Sequence, residues 1–315
     1  MKRFGIAILL GAALTAAGCA TDPYQQGFKA YRSGEYGAAR QELSPLAERG
    51  DDEAQYHLGL LYRDGLGVMP DHREAEKWLK RAAEQENVKA RIALGSLYGD
   101  RQGLLHNDVQ ALLWYNFAVA QGSKEAEALR ESLLTRMTPS QIREAQRLGR
   151  EYKTERHYKD LARDLLPPAL SGDAAAQRKL GTLHYRGQGV ERNYAEAARL
   201  FLLSAQKGDP YAQSNLGYMH EQGEGVPQDF SAAARCYLQA ARQDNRQAQL
   251  SLGKLYEKGQ GVPQNEVMAL MFYTLSAVDG EPRAATERDR LTAWMAPELV
   301  AEAQRRAREY KVSGR

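Results

Sequence analysis

Few residues in this chain could do covalent or metal chemistry, and their spacing decides what they are for. Cys236 could act as a nucleophile, and His184 and His220 could bind a metal. The strings Gly65-Leu66-Gly67-Val68, Gly187-Gln188-Gly189-Val190, Gly223-Glu224-Gly225-Val226 and Gly259-Gln260-Gly261-Val262 could cradle a phosphate. Asp71, Asn107, Asn193, Asp229 and Asn265 could offer oxygen to calcium. Each of these readings has a competitor in the surrounding elements.

Those elements follow one period. Leu-Gly recurs at Leu58-Gly59, Leu94-Gly95, Leu180-Gly181, Leu216-Gly217 and Leu252-Gly253, so a unit of 36 residues appears five times with a single interruption. A fixed period of this size marks stacked supersecondary units that share one core. In residues 52–86, Ala54, Leu58, Leu61 and Tyr62 fall on one helical face with Gly59 at its flank, and a second helix buries Ala75, Trp78, Leu79 and Ala82. Alanine opens every unit, and the glycine after leucine admits a close helix neighbour despite a propensity cost of about 1 kcal/mol.

The period answers the chemical readings. A dinucleotide loop follows a buried strand, whereas these glycines lie between two helices, where a left-handed glycine ends the first. One carboxylate or amide per turn falls short of the roughly six to eight oxygens of a calcium site, so the five acids and amides are expected as N-caps of the second helices. Cys236 shares the register of Trp78, Trp114, Leu200 and Phe272, which makes it a core thiol. His184 and His220 take the place of Tyr62, Tyr98 and Tyr256 on the buried side. No metal, cofactor or catalytic residue is expected.

The pattern A-x-x-x-L-G-x-x-Y-x-x-G-x-G-V-x-x-[DN]-x-x-x-A resembles the Sel-one-like repeat, a subclass of tetratricopeptide-like helix pairs. The resemblance implies an all-α fold, an α/α solenoid forming a right-handed superhelix of antiparallel helix pairs whose first helices line the concave side. It also implies adaptor or assembly-scaffold work.

Shifting the chain by 158 residues lays Met137-Thr138-Pro139 on Met295-Ala296-Pro297 and Glu151-Tyr152-Lys153 on Glu309-Tyr310-Lys311. Two blocks are therefore expected, residues 24–153 and 154–315, joined at the charged run of 154–160. The first opens with a partial unit carrying Ala39, Leu43 and Ala47, and each closes on capping helices after Met-x-Pro. Pro45 and Pro167 fall at one register, where a kink or early helix break is expected.

The N-terminus reads as a sorting signal, with Lys2 and Arg3 before an apolar stretch too short to span a bilayer. Ala16-Ala17-Gly18-Cys19 resembles the lipobox of bacterial lipoproteins, with alanine where that pattern favours leucine. The resemblance implies a signal peptide at 1–18, lipid on Cys19, and a tether at 19–23 reaching about 20 Å. Ala20 in place of aspartate points to the outer membrane, periplasmic face, with a soluble periplasmic protein as the alternative. Loss of Lys2 and Arg3 leaves 41 basic against 40 acidic residues, a balance that offers nothing to nucleic acid.

Opposite the core stripe, the second block carries Lys179 and Arg186, then Tyr211, Asn215, Tyr218 and Gln222, then Lys254 and Lys258. Tyrosine with cations suits a partner surface, here for an extended anionic segment or glycan, and the competing reading is solvated helix faces. The expected function is a non-enzymatic protein–protein scaffold of the bacterial envelope, assisting a secretion or exopolysaccharide-export machine. The alternatives are a penicillin-binding or hydrolytic cell-wall enzyme and a glycan- or peptidoglycan-binding module. Against the enzyme, the cysteine-rich branch associated with β-lactam binding has a cysteine pair in each unit and this chain has none, and no serine–lysine nucleophile fingerprint is expected.

Overall fold

A computed structural model describes residues 23–101 and 103–313, and among the described residues the chain is helical without a strand. Cys19, the signal at 1–18 and most of the proposed tether lie outside the described residues. The chain divides into two compact units, the first running to Glu151 and the second beginning at Tyr152. The first holds α1 (Pro23–Arg32), α2 (Tyr36–Glu48), α3 (Asp52–Asp64), α4 (His72–Glu84), α5 (Val88–Gly99), α6 (Asp108–Val119), α7 (Lys124–Leu134) and the start of α8 (Pro139–Leu170). The second holds the rest of α8, α9 (Ala174–Arg186), α10 (Tyr194–Gln206), α11 (Pro210–Gln222), α12 (Phe230–Ala241), α13 (Arg246–Lys258), α14 (Glu266–Val278), α15 (Pro282–Thr292) and α16 (Pro297–Ser313). The charged run 154–160 is thus part of a helix.

Within each unit a helix packs chiefly on the helices before and after it, so the core is continuous along the stack and the fold is an α/α solenoid. Ala54, Leu58 and Leu61 are buried from the first helix of one repeat, and Ala75, Trp78, Leu79 and Ala82 from its second. In the partial unit Ala39, Leu43 and Ala47 are fully buried. The helix–helix contact is close because the repeat glycine lacks a Cβ: one added at Gly217 would lie 2.8 Å from the Tyr237 ring.

Each turn between paired helices is fixed by local chemistry. Gly187 caps α9 in the left-handed conformation at φ 65°, and its amide returns to the Leu183 carbonyl. The second glycine, Gly189, is needed for space, because a Cβ there would lie 2.2 Å from the Tyr158 carbonyl carbon and this turn closes directly onto the backbone of α8. Asn193 then caps α10 by accepting from the Glu196 amide at 3.0 Å. Asp71, Asn107, Asp229 and Asn265 cap α4, α6, α12 and α14 in the same way, as their period predicts. The unit without the first glycine ends otherwise, with Asp100 extended at the C-cap of α5.

Three expectations change. Both helices run on for three residues past Pro45 and Pro167 without an early break. Each proline lies in a last turn, where its fixed φ is helical and its own carbonyl still accepts, from Arg49 and Ser171 respectively. Cys236 is half-buried, because α12 carries its stripe on Ala233, Tyr237 and Ala240 and leaves the thiol at the margin. His184 and His220 are likewise half-buried, as Tyr62 and Tyr256 are at the same register, so this position lies at the margin of the core and only Tyr98 is buried there.

The capping helices close each stack. Met137 and Ala145 are buried in the first unit, and Met295, Ala303 and Ala307 in the second. Tyr310 of α16 meets Phe272 of α14 edge to face at 5.7 Å.

Candidate partner-binding surface

The expected site residues all sit on the outward faces of α9, α11 and α13, the first helices of the three repeats of the second unit. Helical spacing brings this about, since positions opposite the Ala–Leu stripe must face away from the second helix. Tyr211 is 62% exposed and Tyr218 45% exposed, so both rings are offered to solvent. Lys179, Arg186, Gln222 and Lys258 are exposed as well, and Asn215 and Lys254 are half-buried. Among the described residues none of the four cations makes an ion pair.

Sequence reasoning missed the groups that hold the two tyrosines. Arg178, beside Lys179, donates to Asp209 at 2.9 Å and lies 5.3 Å over the Tyr211 ring. Asp209 also accepts from the Tyr211 and Ala212 amides at 2.9 Å, so the residue that starts α11 also orients the aromatic on it. Tyr185 packs edge to face on Tyr218 at 6.4 Å and in a tilted contact on Tyr194 at 5.3 Å, and its hydroxyl donates to Glu224 at 2.7 Å. Burial, then this carboxylate, push the Tyr185 phenol far above its ordinary range.

The surface is therefore less uniformly basic than its lysines suggest. Glu221 and Glu257 stand one position before Gln222 and Lys258, and they accept from Tyr237 and Tyr273 at 2.7 Å each. Tyr185 occupies the matching place in α9, and Phe201 stands where the other two repeats of this unit put the tyrosine. Without that partner, the Tyr185 hydroxyl turns to the next repeat and binds Glu224.

No group of three or more metal-binding side chains occurs among the described residues. Burial pushes the Cys236 thiol up, away from a reactive thiolate. The expectation that no serine–lysine fingerprint exists is wrong, since Ser204-Ala205-Gln206-Lys207 and Ser251-Leu252-Gly253-Lys254 both have that spacing. Ser204, however, is fully buried with its hydroxyl on the Ala174 carbonyl at 2.8 Å, while Lys207 binds the Gly172 carbonyl. Ser251 is half-buried against the Tyr237 phenol. Both strings lie within or at the end of repeat helices.

Comparison with known families matches the Sel1 repeat at residues 52–87, 88–123, 174–209, 210–245 and 246–277. Among solved structures the chain is similar to a protective antigen of uropathogenic Escherichia coli strains displaying an SLR fold, at 29% identity and a TM-score of 0.44. That likeness covers 93% of this chain and 61% of the antigen, so the chain spans about three-fifths of its length. It is also similar to a Sel1 repeat protein from Oxalobacter formigenes, at 26% identity, a TM-score of 0.38, and coverage of 94% and 97%. Curated protein sequences gave no significant match. Sel1 repeat proteins generally mediate protein–protein interaction. With five repeats matched over more than half its length, the chain belongs to the Sel1 repeat family.

Proposed function

We propose that this protein is a non-enzymatic scaffold of the bacterial envelope that receives an extended anionic segment of a protein partner on the first-helix face of its second unit. One observation carries the reading: Lys179 and Arg186 on α9, and Lys254 and Lys258 on α13, make no ion pair among the described residues and flank the exposed rings of Tyr211 and Tyr218. Rings held by Arg178 and Tyr185 lose little freedom on binding, and unpaired cations beside them favour carboxylates. The envelope setting is supported by the lipobox-like Ala16-Ala17-Gly18-Cys19, which would hold the protein on the periplasmic face of the outer membrane, near a secretion or exopolysaccharide-export machine.

The test is charge reversal of all four cations to glutamate, followed by capture and crosslinking in envelope extracts. Partners that bind the native chain should be lost from the variant, and more salt should weaken the native capture. An unchanged set of partners would overturn the reading.

A further inference from the structure

Apart from that face, the second unit has a cleft of about 500 Å³ where α15 and α16 both pack on α14. Its floor is aliphatic: Leu270 and Leu275 are 1% and 2% exposed, and Ala307 closes it from α16. Val278, the last residue of α14, stands at its side 66% exposed. An open cleft walled by methyl groups at a helix end is the kind of space that small apolar ligands fill.

The rim fixes the polarity of what could enter. Arg288 is neutralised by Asp289 at 2.7 Å and Lys311 by Asp279 at 2.8 Å. Arg308 is exposed and makes no ion pair among the described residues, leaving one positive charge uncompensated. The two hydroxyls are already donating, Thr274 to the Leu270 carbonyl at 2.7 Å and Thr292 to the Arg288 carbonyl at 2.8 Å. Among the described residues the polar rim side chains without a partner are the Arg308 guanidinium and the Gln304 amide, which sit four residues apart on one face of α16.

We infer that this cleft binds an aliphatic monocarboxylate, its chain over Leu270, Leu275, Val278 and Ala307 and its carboxylate accepting from Arg308. A single free cation beside an aliphatic floor matches one negative charge on an apolar tail, and a guanidinium is shaped to meet both carboxylate oxygens.

The test is calorimetric titration of the full chain with hexanoate, octanoate and decanoate, with octylammonium as the charge-reversed control. Affinity should rise about fourfold per added methylene until the cleft is full, because each buried methylene removes a fixed amount of apolar surface from water. Octylammonium should bind at least tenfold more weakly than octanoate. Arg308→Glu and Val278→Asp change exposed side chains, so both variants should keep their helical circular dichroism and melting point while losing tenfold or more in octanoate affinity. No saturable binding, an affinity independent of chain length, equal binding of octylammonium, or native affinity in both variants would each overturn the inference.

Discussion

The hydroxyl of Tyr237 donates to the carboxylate of Glu221 at 2.7 Å, joining the second helix of a repeat to the outward edge of its first. Tyr273 repeats the bond to Glu257, also at 2.7 Å. Burial and the carboxylate together hold the Tyr237 phenol protonated far above its ordinary range, so it remains a donor at any physiological pH.

Removing the hydroxyl leaves a half-buried carboxylate without its donor. Tyr237→Phe should cost about 1–2 kcal/mol in urea denaturation, the usual range for a hydrogen bond to a charged group less its solvent screening. In a Glu221→Gln background the same change should cost less, because a neutral acceptor forfeits less. A double-mutant cycle with a coupling below about 0.3 kcal/mol would show that the pair does not stabilise the repeat.

The repeat glycines divide by the space around them. Alanine at Gly217 would push its methyl to 2.8 Å from a Tyr237 ring that is itself fully packed. Overpacking of about 1–3 kcal/mol should then exceed the roughly 1 kcal/mol gained in helix propensity, and Gly217→Ala should lower the melting point. At Gly99 the nearest atoms are 3.6 Å away, an ordinary contact, so Gly99→Ala should be neutral or stabilising. In thermal melts Gly217→Ala should fall while Gly99→Ala holds or rises, and a rise for Gly217→Ala would contradict the close-contact account.

In the first unit His57 is ringed by Phe28 at 4.9 Å, Tyr31 at 4.6 Å and Tyr56 at 4.9 Å, all edge to face. Its Nδ1 lies 2.8 Å from the Glu53 carbonyl oxygen, while Glu53, Lys89 and Arg32 supply the surrounding charge. Burial outweighs the Glu53 contributions and depresses the imidazole below its ordinary value. A depressed pKa means that the unfolded chain protonates first. Stability is therefore complete above about pH 6.5 and is lost as pH falls from there through the folded value. His57→Phe keeps an aromatic ring and removes the titration, so the gap in melting point between pH 8 and pH 5 should narrow in the variant. An equal gap in both proteins would assign the pH dependence to other groups.

The 36-residue period made the helices, their caps and the core legible because those signals are local. Asn193, Ala176 and Leu180 each act where their register puts them. The first-helix caps repeat just as regularly and escaped sequence reasoning, although Asp51, Asn87, Asp173, Asp209 and Asn245 each stand three residues before the unit's alanine. The partner surface was legible only in outline. Its outward positions follow from helical spacing, but which cation is free depends on groups distant in the chain: Arg178 is tied to Asp209 at the cap of α11, and Lys179, one residue on, is not. The α14–α16 cleft was not legible at all, since it depends on how a capping helix crosses α14, which no repeat period encodes.

A glutamine tie between successive repeats gives the last prediction. The side chain of Gln213 donates to the Ala205 carbonyl at the end of the preceding helix at 3.3 Å, and its own oxygen accepts from Gln243 at 2.9 Å. Gln249 stands one repeat later, donating to the Ala241 carbonyl at 3.5 Å, with a buried oxygen that has no hydrogen-bond partner. The Ala205 and Ala241 carbonyls already accept from the Gly208 and Asp244 amides at 2.9 and 3.1 Å, so the glutamine fills a second lone pair and ties one repeat to the next. Methionine has nearly the same length and volume but cannot make the bond. Gln213→Met removes two satisfied hydrogen bonds and should cost about 2 kcal/mol. Gln249→Met removes one long bond and also relieves an orphaned oxygen, so it should cost less than about 1 kcal/mol. Denaturant midpoints for the two variants decide the matter, and an equal or reversed order would show that side-chain packing, rather than hydrogen bonding between repeats, keeps glutamine at this register.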